Sequence, residues 1–399
     1  MSFLFEALPA KYGDCLYLTF DDADGRRLRL LVDGGPGQVF EKFLEPRLQG
    51  DRANLDPDEP LVIDAVMVSH IDEDHIKGVL DLFAALRDAD DRQKPRPYDV
   101  RWLLHNSFDA LLGEGEGGAA RGLGGDTILA SLGGLDALKA ASGDADDHTA
   151  ELVLQSYAQG SQLTTRAAAL GIIRNPPDQA PLAFVGQGAK ARVLRIGEAS
   201  LTIVGPLQSE IDDLRKAWEK WRRKADKKPS ELASYLDESV PNLSSIVVLL
   251  ERGQRRLLLT GDARGDMILK GLEQGGFLPA GGTMKVDLLK LPHHGSIRNI
   301  DLDMLQRIEA DHYVASGDGV FGNPDRETLE LIEKARPAGG YTVHLTYPAA
   351  QVDATHAEWR RMRGKPALQK GKHTIADVVE RWRQEGKITV KEGPVRIDF

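Results

Sequence analysis

Val66-Met67-Val68-Ser69-His70-Ile71-Asp72-Glu73-Asp74-His75-Ile76-Lys77-Gly78 decides how this chain is read. An apolar run stops abruptly, and two histidines and three acids follow within six residues. The run from Leu61 to Val68 is apolar and β-branched enough for a buried strand, while Leu80, Phe83, Ala84 and Leu86 carry helical spacing. The cluster is therefore expected on a strand-to-helix turn. Imidazole and carboxylate are ligands that zinc, manganese and iron accept, and a turn can aim several of them at one point.

Upstream, Phe3 to Leu8, Asp14 to Phe20 and Arg27 to Val32 read as an antiparallel meander of three strands. It ends in Asp33-Gly34-Gly35, where Asp33 is either a turn former or an acid that orients a ligand, and Val39 to Leu48 has helical spacing. Downstream, Tyr98 to His105 is a strand, and strands resume at Ala191 to Ile196 and Leu201 to Val204. The stretch 107–190, which opens on a Gly-rich loop, is expected to be a helical insertion, with helices over Asp126 to Ala141 and Thr149 to Leu170. Residues 208–238 read as a charged helical arm carrying the basic knot Arg222, Arg223, Lys224, Lys227 and Lys228.

A second informative block follows. Ile246 to Leu250 and Arg256 to Leu259 form a hairpin ending in Thr260-Gly261-Asp262, and the strand Val286 to Leu291 stops at Pro292-His293-His294-Gly295-Ser296. Helices over Ile268 to Leu272 and Glu327 to Ala335, the stretch Leu302 to Ile308, and strands at His312 to Ala315 and Tyr341 to Thr346 complete the alternation. Residues 348–399 read as a C-terminal extension with a helix at Thr374 to Glu385 and two short strands in Ile388 to Phe399. No internal repeat beyond general β/α alternation is visible.

The 399 residues suit one elaborated α/β domain. A formal net charge of −10 argues against non-specific coating of nucleic acid and leaves room only for a local basic patch. Cys15 is the single cysteine, so no internal disulfide or cysteine-ligated zinc site can form, which fits a reducing compartment. Met1 to Phe20 lacks a secretory pattern and no segment has the length of a membrane span, so a cytoplasmic protein without membrane contact is expected.

Three strand ends thus carry metal-competent residues: His70, Asp72, Asp74 and His75; Asp262; and His293 with His294. With these motifs in view, the sequence resembles metallo-β-lactamase superfamily hydrolases. His70-x-Asp72-x-Asp74-His75 matches the family's first signature with Asp in its second position. Together with Leu-Thr-Gly-Asp at 259–262 and Pro-His-His-Gly-Ser at 292–296, it is most similar to the branch containing the cytoplasmic domain of competence-type DNA-uptake channels. The resemblance covers roughly residues 3–105 and 191–347, and it implies a four-layer αββα sandwich with metals between the sheet edges.

Carried over, His70 and Asp72 hold a first divalent metal, Asp74 and His75 a second, and Asp262 bridges them. One of His293 and His294 completes the second site, His294 by register. The family's middle histidine has no counterpart, since Asn242 stands in that place, so one metal is expected to be held firmly and the other loosely. Zinc and manganese are the expected ions, because each Asp replacing a His hardens the site. Asp74 and Asp262 are the expected catalytic residues. Asn242, Ser296, Asn323 and His344 are candidates for substrate contact; Asn323 can hydrogen-bond an oxygen but cannot shuttle a proton. The leading expectation is hydrolysis of a phosphoester in a nucleic acid or nucleotide. The alternatives are a carboxyl-ester, thioester or lactam hydrolase with one metal, or a metal-dependent binding module without catalysis. Any protein partner is expected at 107–190 or 208–238.

Overall fold

The computed structural model describes residues 2–107, 110–111, 159–188, 191–222 and 244–399. Most of the 107–190 insertion, the knot beyond Arg222, and Asn242 lie outside these residues.

The chain builds two sheets by the same plan. It begins with β1 (Phe3–Ala7), β2 (Leu16–Asp21) and β3 (Arg27–Val32), the expected antiparallel meander. A wide helical turn over Phe40–Leu44 runs into α1 (Glu45–Arg52). The two long strands expected next are each divided in two. Leu61 to Val68 becomes β4 (Leu61–Ile63) and β5 (Ala65–Val68); Tyr98 to His105 becomes β6 (Tyr98–Val100) and β7 (Trp102–His105). The breaks fall at Asp64 and Arg101, which face each other at 3.4 Å, and the buried Asp64 carboxylate accepts from the Arg29 backbone N–H (3.0 Å). An apolar run hides this break, because hydropathy does not record which sheet a strand joins. β4 and β6 pair only with each other. Between β5 and β6 lies α2 (Glu73–Asp91), and a short β8 (Ile173–Arg174) inside the supposed insertion extends the sheet beyond β7.

The second sheet repeats the design. An antiparallel start, β9 (Val193–Ile196), β10 (Ala199–Gly205), β11 (Val247–Arg252) and β12 (Arg255–Leu259), leads into the parallel β13 (Met284–Lys290), β14 (Ile308–Ala315) and β15 (Thr342–Leu345). Its helices are α3 (Gln208–Arg222), α4 (Gly265–Gln274), α5 (Leu302–Arg307), α6 (Arg326–Ala335), α7 (Ala349–Met362) and α8 (Ala376–Glu385). β16 (Thr389–Glu392) closes the second sheet beside β15, and β17 (Val395–Asp398) closes the first beside β1. The orders are β17-β1-β2-β3-β5-β7-β8 and β16-β15-β14-β13-β12-β11-β10-β9.

Three apolar clusters fix the layers. Phe5, Leu18, Leu30 and Met67 of the first sheet pack with Leu201, Val248, Leu257 and Leu288 of the second. The outer face of the first sheet, with Tyr17, Val66 and Leu103, covers Leu48 of α1 and Phe83 of α2. The outer face of the second sheet covers α4, α5, α6 and α8 through Leu272, Leu305, Ile332 and Trp382. The result is the expected four-layer αββα sandwich. Parallel strands share one carboxyl edge, and ligands of open α/β sheets gather there.

Candidate metal centre

That edge collects the residues singled out from the sequence. His70 follows β5, and Asp72 stands at the start of α2, which places Asp74 and His75 in the first helical turn. The turn is pinned close to its neighbours: a Cβ on Gly78 would come within 1.9 Å of the Gly34 carbonyl oxygen, so only glycine lets α2 meet the turn after β3. Asp262 follows β12, and its backbone N–H donates to Ser245 Oγ (3.1 Å). His293 and His294 follow β13 with φ of 47° and 57°, a left-handed backbone that side chains seldom adopt and that clusters at functional sites. The His293 N–H donates to the Gly261 carbonyl (3.1 Å), tying the two strand ends together.

The imidazoles share one arrangement. His75 Nδ1 lies 2.8 Å from Asp33 Oδ2, His70 Nδ1 lies 3.1 Å from Ser69 Oγ, His294 Nδ1 lies 3.0 Å from Ser316 Oγ, and His293 Nδ1 lies 3.0 Å from Asn299 Oδ1. Each ring is anchored through Nδ1, which turns its Nε2 forward. Nε2 of His70, His75 and His294 and Oδ1 of Asp262 are buried without a hydrogen-bond partner among the described residues. Nε2 of His75 is 3.4 Å from Asp262 Oδ1; Nε2 of His294 is 3.3 Å from Asp74 Oδ2 and 3.8 Å from Asp262 Oδ2. His70 Nε2 stands 3.6 Å from Asp72 Oδ2 and 3.7 Å from Asp262 Oδ2, and His293 Nε2 stands 3.6 Å from Asp262 Oδ2. Two ligand atoms held about 2.1 Å from one cation at a tetrahedral angle lie about 3.4 Å apart, so these spacings and unpartnered atoms fit a divalent ion.

Electrostatics agree. Burial alone would raise the Asp262 carboxyl, but His293, His75, His294 and His70 hold it well below the usual range, and His75 with His294 overcomes burial to lower that of Asp74. Burial opposes charge on His75, yet Asp262, Asp74 and Asp33 raise its pKa well above the ordinary value; Asp262 and Asp14 likewise overcome burial to bring His294 to about 9. The carboxylates demand a cation at this edge, either bound protons or a metal.

Among the described residues two groups of ligand atoms lie within 4.8 Å of one another: Asp14, His75, Asp262 and His294, and His70, Asp74 and His75. His75 is common to both, whereas the resemblance divided the ligands with His70 and Asp72 on one side and Asp74 and His75 on the other. The Asp72 carboxylate lies beside His70, while its backbone carbonyl accepts from the His75 N–H (3.0 Å). Both rings of the 293–294 pair reach Asp262; His294 is buried, and the His293 side chain is 34% exposed at the mouth.

Asp14 and Lys290 escaped the sequence reading, as did the ring-anchoring Ser69, Asn299 and Ser316. Asp14 precedes β2, whose start lies beside the end of β3 because the two strands run antiparallel. Its Oδ2 binds Lys290 Nζ at 2.7 Å, with both side chains buried, and its Oδ1 accepts from Ser316 Oγ. With its oxygens so occupied, Asp14 supports His294 from behind (3.6 Å). Lys290 is fully buried near the end of β13, and a lysine between Leu289 and Leu291 in a strand read as buried was the available signal. Of the residues expected to contact substrate, Asn323 donates Nδ2–H to the His293 carbonyl (3.3 Å), and Ser296 is buried in the turn, where its N–H donates to that carbonyl at 2.9 Å. His344 pairs instead with His312 (3.1 Å) and stands outside both ligand groups. His105, at the end of β7, is pushed down to about 4 by burial and joins neither group.

Fold and cluster together define an α/β sandwich with a candidate metal-binding centre at its shared strand ends. No protein-family model matches the chain. Microtubule-associated protein 1A of Homo sapiens is 33% identical over 82 residues, which are 20% of this chain and 3% of that protein's length. Among solved structures, the metallo-β-lactamase fold protein YhfI from Bacillus subtilis has 11% identity and a TM-score of 0.36, with 100% of both chains covered. A mutant of the CmlA β-hydroxylase has 13% identity and a TM-score of 0.35 over 100% of this chain and 54% of that one. A long form RNase Z from yeast has 9% identity and a TM-score of 0.34 over 100% and 48%.

Proposed function

We propose that this chain is a metal-dependent hydrolase of phosphoester bonds in a nucleic acid or nucleotide. The observation that carries the reading is the convergence of the unpartnered Nε2 atoms of His70, His75 and His294 on the carboxylates of Asp74 and Asp262. Those residues would hold one or two divalent ions, and the mixed imidazole and carboxylate set suits zinc or manganese. Such an ion lowers the pKa of water and neutralises charge on an attacked phosphate.

The protein's own groups supply the rest. Asp74 and Asp262, both held anionic by neighbouring imidazoles, are acceptors that orient an attacking water rather than proton donors. His293, fixed through Asn299, is the imidazole of the set that solvent reaches, and it stands where the leaving group would depart. Asp33 and Ser69 hold the His75 ring, while Asp14, with Lys290 behind it, steadies His294. The buried Cys15 suits a cytoplasmic setting, and no described helix is long and apolar enough to cross a membrane.

The test is release of product from a bis-aryl phosphodiester and from single-stranded DNA with added manganese or zinc. Wild-type turnover is expected to exceed that of an Asp74→Ala, His75→Ala double variant by at least about a hundredfold, since removing one group that stabilises a transition state already costs that much. Equal rates for the two proteins sink the reading.

A further inference from the structure

From the mouth of the metal centre an aromatic strip runs outward to α7. The Tyr12 hydroxyl donates to Glu73 Oε2 (3.0 Å), beside Asp74, and the Tyr12 ring meets Phe321 edge-on with centres 5.1 Å apart. Phe321 in turn meets Trp359 of α7 at 6.2 Å. Phe321 is 51% exposed, on the loop whose Asn323 holds the His293 carbonyl. Core packing does not account for a phenyl ring left half in water between two other aromatic rings.

Charge accompanies the strip. Arg363 Cζ lies 5.1 Å over the Trp359 ring, and Lys365 Nζ lies 4.4 Å from its centre. No acid occurs between Trp359 and His373, although the chain as a whole carries −10. Arg361 is paired with Glu358, but Arg363, Lys365, Lys370 and Lys372 are exposed and have no ion-pair partner among the described residues. One exposed ring braced by two half-buried ones, with cations at its flank, matches a polymer offering a π face and a phosphate at every unit. In a duplex those faces are hidden by stacking.

We propose that this strip binds single-stranded nucleic acid and leads it to the metal centre. A base stacks on Phe321, held upright by Tyr12 and Trp359, and the adjoining phosphates meet Arg363 and Lys365. The proposal rests on the hydrolase reading for the fate of the strand but not for its capture.

The experiment is fluorescence anisotropy of a labelled single-stranded DNA of about 12 nucleotides titrated with the full chain. Phe321→Ala is expected to weaken binding roughly tenfold. An Arg363→Gln, Lys365→Gln double variant should lower the salt slope by about two. Unchanged affinity in both strip variants, or tighter binding of duplex than of single strand, overturns the proposal. So does a Phe321→Ala protein that binds DNA normally but sediments differently, which makes the strip a contact between copies. Strip-dependent binding by a wild-type protein that cleaves no phosphodiester supports the strip and removes the hydrolase reading. Cleavage of the bis-aryl substrate without strip-dependent DNA binding does the reverse.

Discussion

Asp33 meets two demands at once. Its backbone is left-handed (φ 59°), and its carboxylate accepts from the Ser69 backbone N–H (2.7 Å), from Ser69 Oγ (2.8 Å) and from His75 Nδ1 (2.8 Å). From the sequence, turn former and ligand-orienting acid stood as alternatives; the geometry gives Asp33 both properties. Asparagine tolerates the same backbone, so Asp33→Asn isolates the charge. Zinc affinity, read by competition with a chelator, is expected to fall about 10- to 100-fold with the circular dichroism spectrum unchanged. An unaltered affinity would show that the carboxylate does not tune His75. A similar dependence on a neighbour explains why Asp14 was not legible: nothing in Tyr12-Gly13-Asp14-Cys15 marks a site, and its place follows from strand pairing and from Lys290, 276 positions away in the chain.

At the scale of single elements, α3 shows how local order carries a pH dependence. Glu210, in its first turn, reaches back to accept from the Leu207 N–H (2.8 Å), as in a capping box. Burial raises its pKa from 4.5 to about 7, against the pull of that N–H. Between those values the folded chain keeps a proton the unfolded chain has lost, so stability is full below the lower value and declines as pH rises through the upper. Glu210→Gln keeps the acceptor without ionising. In urea unfolding it should match the wild type near pH 4 and exceed it at pH 8 by up to about 3 kcal/mol; a gap that does not widen with pH rules this out. Periodicity revealed most elements, including the meander, α2, the hairpin β11–β12 and the strands ending at both histidine motifs. It missed α7, whose buried residues are only Ala349 and Val352, because a helix without an apolar stripe carries no such signal.

Across the whole molecule, residues 348–399 reach both sheets. β17 pairs with β1, placing Val395 and Ile397 in the core between the sheets, while β16 pairs with β15. A chain ending at residue 387 would uncover two sheet edges at once, and open edges template association. It is expected to sediment as oligomers and to melt below the wild type; a monomer of unchanged melting temperature would contradict this. The plan shared by the two halves, an antiparallel start followed by parallel strands, left no trace as a sequence repeat, because strand order is set by pairing and the same topology accepts many apolar sequences. The Asp14–Ser316 hydrogen bond spans 302 positions, and Lys290 closes onto the same carboxylate. On the ribosome, where synthesis proceeds at about 5–20 residues per second, the earlier partner waits on the order of tens of seconds for the later one. Until residue 262 is made, the nascent chain offers of that set only His70, His75 and their neighbouring acids, open to whichever cation is at hand. The enclosed set, with Asp262 and His294 in place, exists only after the second half has been made.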